Sequence, residues 1–275
     1  MGEAGTNPQV GFAEDDADFA RFVEDIRKLT SIDLSLYKEN QMRRRLTTLR
    51  LKHGFSAFSA YYEALARDPK LLGEFLDRMT INVSEFWRNP NRWQMLKERF
   101  LEPMAQRPGR LLVWSAACST GEEPYTLAML LDSLGALERT TLLATDIDET
   151  VLAKAKEGAY ADRSMRDVPQ EYLLRYFRQE NGMYRVTDKL KQAVRFQRQN
   201  LLLDPFPDRY DLIVCRNVMI YFTEEAKSGL YRKFAQALKP GGILFVGSTE
   251  QIFSPGQYGL EAADTFFYRR ADAGV

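Results

Sequence analysis

The chain has 275 residues, with 38 lysines and arginines balancing 38 aspartates and glutamates and an apolar fraction of 45%. This suits one large or two smaller globular domains and leaves no overall field to draw in nucleic acid or a membrane, so any electrostatic recognition must be local. Two cysteines, Cys118 and Cys215, and a single histidine, His53, exclude a disulfide framework and a conventional zinc site, so no metal is expected. The apolar runs fall well short of the roughly 20 residues of a membrane span, and the acidic start has no hydrophobic signal region; no direct membrane insertion is expected, and the location reads as cytoplasmic.

Residues 1–13 read as a flexible start. From 14 to 107 apolar residues recur at helical spacing, as in Phe19, Phe22, Val23 and Ile26, then Met42, Leu46 and Leu49, then Phe58, Tyr61, Tyr62 and Leu65, then Leu72, Phe75, Leu76 and Met79. This is a helical domain. Between Lys38 and His53, the cations Lys38, Arg43, Arg44, Arg45, Arg50 and Lys52 are set against Glu39 alone. Met42, Leu46 and Leu49 share the anchoring face of that helix, which leaves Arg43, Arg44 and Arg50 toward water and Arg45 at the flank. Taken alone, a basic face of this kind is more often merely solvated.

Near Arg107-Pro108-Gly109 the pattern changes to short apolar strands alternating with helices. The strands are Leu111 to Ala116, Leu142 to Thr145, Val194 to Phe196, Leu212 to Cys215 and Ile243 to Val246, which predicts an α/β domain over 108–275 built on a parallel sheet. Residues 158–193 interrupt the alternation with a helix at Glu171 to Phe177 and an alternating run at Met183 to Thr187. They read as a small inserted β-subdomain, in which Asn181-Gly182 serves either as a hairpin turn or as a helix end. Thr265 to Arg269 predicts a last, antiparallel strand.

Chemistry concentrates after the first strand, in Cys118-Ser119-Thr120-Gly121-Glu122-Glu123-Pro124-Tyr125. Carboxylates at a helix N-terminus would repel a pyrophosphate, whereas S-adenosylmethionine carries a sulfonium and an ammonium and no phosphate. Thr120 and Glu123 also have the spacing of a capping box. Asp146, at the end of the second strand, sits where a carboxylate meets ribose hydroxyls in nucleotide-binding α/β folds, while Asp148 reads as a helix cap. The strand Tyr210 to Cys215 delivers Arg216, Asn217 and Tyr221 beyond the carboxyl edge of the sheet.

In order and spacing these pieces resemble the Rossmann-like S-adenosylmethionine-dependent methyltransferases, with Ala117-Cys118-Ser119-Thr120-Gly121 in place of the commoner Gly-x-Gly-x-Gly loop. Three segments together, Asn82 to Arg88, Trp114 to Tyr125 and Cys215 to Phe222, resemble the bacterial CheR-type chemotaxis-receptor protein-glutamate methyltransferases. The resemblance runs over nearly the whole chain. It implies a helical N-terminal domain, a methyltransferase sheet and the inserted antiparallel subdomain. The activity implied is methylation of receptor glutamate side chains, giving methyl esters and S-adenosylhomocysteine.

The resemblance further implies that Asn82, Ser84, Arg88, Glu123, Asp146, Asn200, Leu201, Arg216 and Asn217 line the cofactor site, and that Arg88 and Tyr221 face the substrate carboxylate. Serine replaces the family's usual threonine at Ser84, and Leu201-Leu202 departs from the usual valine-containing context. The basic helix, with Arg43, Arg44, Arg45 and Arg50, corresponds to the one that recognises the cytoplasmic helical domain of chemoreceptors, and Arg45 is its best-matched position. The loop at Arg178 to Met183 is short, which implies weak or absent binding of a receptor C-terminal tether peptide. Two other readings of the residues are a methyltransferase acting on nucleic acid, disfavoured by the neutral charge, and a non-catalytic receptor-binding relative.

Overall fold

The structure is a computed structural model that describes residues 8–80 (8–15 in backbone only), 84–206 and 209–271. The chain forms two compact units, one of Met1–Ile81 with Tyr221–Ala226 and one of Asn82–Ile220 with Lys227–Val275. The division therefore falls ahead of the 107/108 boundary read from the change of pattern. The reason is packing: Trp93, Leu96, Phe100, Leu101 and Met104, although helical, bury their side chains in the same core as the sheet.

The helical unit contains α1 (Pro8–Thr30), α2 (Glu39–Lys52), α3 (Phe58–Arg67) and α4 (Pro69–Thr80). Helix α1 begins at Pro8, inside the stretch read as flexible; residues 1–7 lie outside the described residues. Phe22 centres the unit, with the rings of Phe58 and Phe75 at 5.0 and 6.0 Å and that of Tyr61 at 6.2 Å. The distant segment Tyr221–Ala226 is bound in by main-chain hydrogen bonds: Lys38 N–H donates to the Tyr221 carbonyl and Thr223 N–H to the Leu36 carbonyl, both at 2.9 Å. Tyr37 and Phe222 form an antiparallel bridge there and pack edge to face.

The second unit starts with α5 (Pro90–Leu96), which runs through a π-helical turn at Lys97–Leu101 into α6 (Glu102–Gln106). Next come β1 (Leu111–Ala116), α7 (Glu122–Ser133), β2 (Thr140–Asp146), α8 (Glu149–Glu157), β3 (Ala159–Tyr160), α9 (Gln170–Tyr176), β4 (Phe177–Glu180) and β5 (Met183–Val186). The remainder is α10 (Asp188–Ala193), β6 (Val194–Arg198), β7 (Tyr210–Cys215), α11 (Glu224–Ala237), whose first turn belongs to the helical unit, β8 (Leu238–Val246), β9 (Leu260–Asp264) and β10 (Phe267–Arg270).

The main sheet has the order β6-β2-β1-β7-β8-β10-β9, parallel from β6 to β8 with β10 antiparallel to β8. After β1 the chain winds to one side through β2 and β6 and then returns to β7 on the other. Order therefore reverses between β1 and β7, and open sheets bind ligands outside the carboxyl ends of strands at such a point. Strand β9 was not anticipated, because Leu260-Glu261-Ala262-Ala263-Asp264 has little β-branched or aromatic content and is held through its pairing with β10. Among the described residues no helix is long and apolar enough to cross a membrane.

The insertion folds as a three-stranded antiparallel sheet, β3-β5-β4, rather than a lone hairpin. Asn181 and Gly182, both at positive φ (51° and 74°), join β4 to β5 as a two-residue turn, which decides between the two roles open for that pair. Asp132, near the end of α7, ties the insertion down: it accepts from Tyr176 Oη at 2.8 Å and pairs with Arg175 at 3.1 Å and Lys189 at 2.5 Å. Burial acts to raise the Asp132 carboxyl, but these donors outweigh it and hold it below its usual 3.8. A depressed acid stabilises the fold above the unfolded value, and that stabilisation disappears as pH falls through the native one. Asp132→Asn should cost about 1–3 kcal/mol at pH 7, with the gap from wild type narrowing below about pH 4, as read by urea denaturation across pH.

Candidate functional site

The loop after β1 turns on residues in left-handed backbone. Ala117, Ser119 and Gly121 all have positive φ, at 58°, 48° and 96°. These alternate positions coincide with the three glycines of the commoner Gly-x-Gly-x-Gly loop, so the backbone is retained while two positions carry side chains at a strain of roughly 1–2 kcal/mol each. Gly121 has no such freedom, since a Cβ there would come within 2.9 Å of both the Ala155 Cβ and the Tyr160 hydroxyl. Hydrogen bonds hold the loop: Cys118 N–H donates to the Thr145 carbonyl (2.9 Å) and Ser119 N–H to Asp146 Oδ2 (2.8 Å).

Asp146 also accepts from Asp148 N–H through Oδ1 at 3.1 Å. Burial raises its carboxyl, and the backbone donors oppose that rise. Asp148 caps α8, accepting from Thr150 N–H at 2.8 Å, as read from the sequence.

Thr120 and Glu123 do not form a capping box. Gly121 is the N-cap of α7, and the Thr120 hydroxyl instead donates to Glu122 at 2.7 Å. Glu123 is turned inward: Ser115 Oγ donates to its Oε1 at 2.9 Å, and its Oε2 lies 3.8 Å from Arg216 Nη1. Burial drives the Glu123 carboxyl up to about 7, and Glu250 adds to the rise, while Arg216, the Ser115 hydroxyl and Arg88 act against it.

Arg216 is almost fully enclosed, with 3% of its side chain exposed. Its Nη2 donates to the Arg88 carbonyl (2.8 Å) and to Asn89 Oδ1 (3.0 Å), and its guanidinium lies 4.8 Å from the Phe245 ring centroid and 5.2 Å from that of Trp93. Among the described residues its buried Nε has no hydrogen-bond partner. Asn217 follows at φ 60°, its N–H donating to Glu250 Oε2 at 2.7 Å.

The residues read from the sequence thus separate into groups. Arg88, Glu123, Arg216 and Asn217 gather beyond β1 and β7, Asp146 is the last residue of β2, and Asn200 and Leu201 lie beyond β6. Ser84 hydrogen-bonds Glu122. Asn200 Oδ1 accepts from Leu202 N–H at 3.0 Å, and Leu201 is buried with its carbonyl accepting from Lys233. Asn82 lies outside the described residues.

Tyr221 belongs to the helical unit, where the Arg45 guanidinium lies 5.6 Å from its ring centroid. Arg45 is half-buried and donates to the Met79 carbonyl at 3.1 Å. Arg50 does not face water: it is 7% exposed and stacks 4.4 Å from the Phe58 ring centroid. The cause is helical register, because Arg50 lies four residues beyond Leu46 and eight beyond Met42, on the anchoring face. Arg43 is also engaged, pairing with Asp16 and lying over Phe19, so Arg44 is the exposed member of the four.

The sequence reading missed Ser115 and Glu250. Ser115 had a signal, as a polar residue in an otherwise apolar strand. Glu250, 5% exposed in the loop after β8, had only the dipeptide Gly247-Ser248 before it to mark a strand-end turn.

The family models for the CheR methyltransferase all-alpha domain and SAM binding domain match residues 17–80 and 82–267. The chain is 41% identical over 252 residues to the chemotaxis protein methyltransferase of Listeria monocytogenes, covering 91% of this chain and 96% of that protein. It is 36% identical over 248 residues to that of Escherichia coli, covering 86% and 85%. Among solved structures, a glycopeptide N-methyltransferase, MtfA, complexed with S-adenosyl-L-methionine overlaps 52% of this chain and 50% of its own at 15% identity and a TM-score of 0.34.

The donor set fits S-adenosylmethionine. The first turn of α7 offers carboxylates and no phosphate-binding cation, and two buried acids, Glu123 and Asp146, are held above their ordinary values by burial, a state that a cation or hydroxyl donors would relieve. For the ligand-free protein the sign is definite. Glu123 holds a proton in the native state between 4.5 and about 7 that the unfolded chain has released, so stability falls as pH rises through that window. The fall attributable to Glu123 is on the order of 3 kcal/mol. Glu123→Gln should remove this component, flattening the curve when urea denaturation is followed from pH 5 to 8.

Proposed function

Because this chain belongs to the CheR methyltransferase family, we propose that it methylates glutamate side chains on the cytoplasmic helical domain of chemoreceptors. The observation that carries the reading is the buried Glu123–Arg216 centre with Arg88 beside it, beyond the strands where the sheet reverses order. When bound, S-adenosylmethionine supplies an electrophilic methyl on a sulfonium. Asp146 would accept from the ribose hydroxyls, Glu123 would face the cationic end, and Asn200 and Leu201 would border the base, with Ser84 and Asn217 completing the lining.

The chain's task is to orient and to dry. A glutamate with an ordinary value of about 4.3 is already ionised at neutral pH, so no general base is needed and His53, in the helical unit, need not take part. Attack on a sulfonium consumes opposite charges. Excluding water therefore favours it, whereas a tight ion pair would hold the carboxylate back. Arg88 is assigned the alignment of one carboxylate oxygen, and the Tyr221 hydroxyl a hydrogen bond to the other.

Recognition of the receptor is assigned to α2. Arg44 supplies its exposed charge, while Arg43, Arg45 and Arg50 shape the surface through their contacts with Asp16, Tyr221 and Phe58. With only Asn181 and Gly182 between β4 and β5, a receptor tether peptide is read as weakly bound or unbound.

Incubation with labelled cofactor and receptor membranes, followed by mild base, should release volatile methanol, since carboxyl methyl esters hydrolyse and methylated nitrogen does not. Base-stable label would sink the reading. Tyr221→Phe should lower turnover by about 10²-fold or more while the protein still binds cofactor in calorimetry, and Arg88→Ala should lower turnover at least as much. Separately, KM for receptor should rise with ionic strength, and Arg44→Glu should raise it further at low salt. A salt-independent KM would remove α2 from recognition.

A further inference from the structure

The carboxylate of Glu250 is buried in the loop after β8 and spends both oxygens on the main chain. Oε2 accepts from the N–H groups of Asn217 (2.7 Å) and Gly247 (2.8 Å), and Oε1 from those of Met219 (2.7 Å) and Ile220 (3.3 Å). Three of these four donors belong to the turn that follows Arg216 and leads directly into Tyr221. The fourth, Gly247, must be glycine, since a Cβ there would come within 2.4 Å of Glu250 Oε2 and 2.9 Å of Asn217 N. A carboxylate is the one side chain whose two oxygens can both act purely as acceptors; a glutamine would turn an N–H group toward one pair of donors.

We propose that Glu250 is the positioning residue of the site, its two carboxylate oxygens holding the Asn217–Ile220 turn, which leads into Tyr221, in place. The inference rests on the function proposed above for the turn it holds. Glu250 also acts on the Glu123–Arg216 centre in a definite direction. Burial is the main influence on both, raising Glu123 and lowering Arg216; Glu250 adds to the rise of Glu123 and favours the charged form of Arg216, while Arg216, Ser115 and Arg88 act against the rise of Glu123. The Cys118 and Cys215 thiols nearby are pushed up by burial and are neutral.

A merely structural prop would change stability and leave the titration of Glu123 alone, so the test reads that titration in the ligand-free protein. Glutamate labelled with 13C at its side-chain carboxyl is followed by NMR against pH, with Glu123→Gln identifying the resonance. Wild type should show a midpoint near 7. Glu250→Gln should move it to lower pH, speed amide hydrogen exchange at Asn217, Met219 and Gly247 by about tenfold or more, and lower turnover by about 10²-fold. A folded Glu250→Gln protein with the wild-type midpoint and wild-type amide protection overturns the proposal.

Should that variant fail to fold, Gly247→Ala, which displaces the same carboxylate, must produce the same exchange and turnover losses, and retention of both overturns the proposal equally. These readouts do not involve the methyl acceptor. Shifted titration and faster exchange therefore support Glu250's role even where no receptor methyl ester forms, and that second result counts against the proposed function alone.

Discussion

Burial of Glu123 against Arg216 is the constraint around which the site is organised. Two charged groups taken out of water are costly unless their remaining donors and acceptors are met, and here each is met from a different direction. Ser115 serves Glu123 from within β1, the Arg88 carbonyl and Asn89 side chain serve Arg216, and Trp93 and Phe245 cover its guanidinium. The centre therefore joins β1, β7, β8, α7 and the segment before α5. Among the described residues the arrangement falls short of full compensation, with Glu123 raised by burial and the buried Arg216 Nε lacking a partner. Incomplete satisfaction of a buried polar centre is a feature of sites that await a ligand.

The loop beside it is built on the same principle of local cost met by surrounding structure. Ala117 and Ser119 hold left-handed backbone that glycine would adopt freely, and they are kept there by hydrogen bonds to Thr145 and Asp146 at the end of β2. The inserted sheet contributes directly, because the Tyr160 hydroxyl of β3 donates to the Thr120 carbonyl at 2.7 Å and closes the space above Gly121. The insertion is thus joined to α7 through Asp132 and to the loop after β1 through Tyr160.

In the helical unit charge and aromatic faces are used together. Arg43, Arg45 and Arg50 lie over Phe19, Tyr221 and Phe58, so what reads as a solvated cationic stripe is largely a set of half-buried and buried guanidinium contacts. Guanidinium is weakly hydrated and stacks well on rings, which lysine would not do as effectively. The segment Tyr221–Ala226 is fastened into this unit although the chain enters it from the sheet.

Much was legible in the sequence because periodicity and short-range chemistry are local. The five parallel strands and the Asp148 cap follow from apolar runs and turn residues, the Asn181-Gly182 pair marks a chain reversal whose kind the pairing of β4 with β5 settles, and the acid-bearing start of α7 points to a cationic cofactor. Tertiary structure alone decided where polar side chains find partners. Glu123 left its capping position because a deeper partner, Arg216, lies almost a hundred residues on; Arg50 turned inward because helical register placed it with Leu46; and Glu250 became structural because four unpaired N–H groups meet at one point. Such choices depend on residues brought together across long separations, and a pattern read along the chain carries no record of which of them will meet.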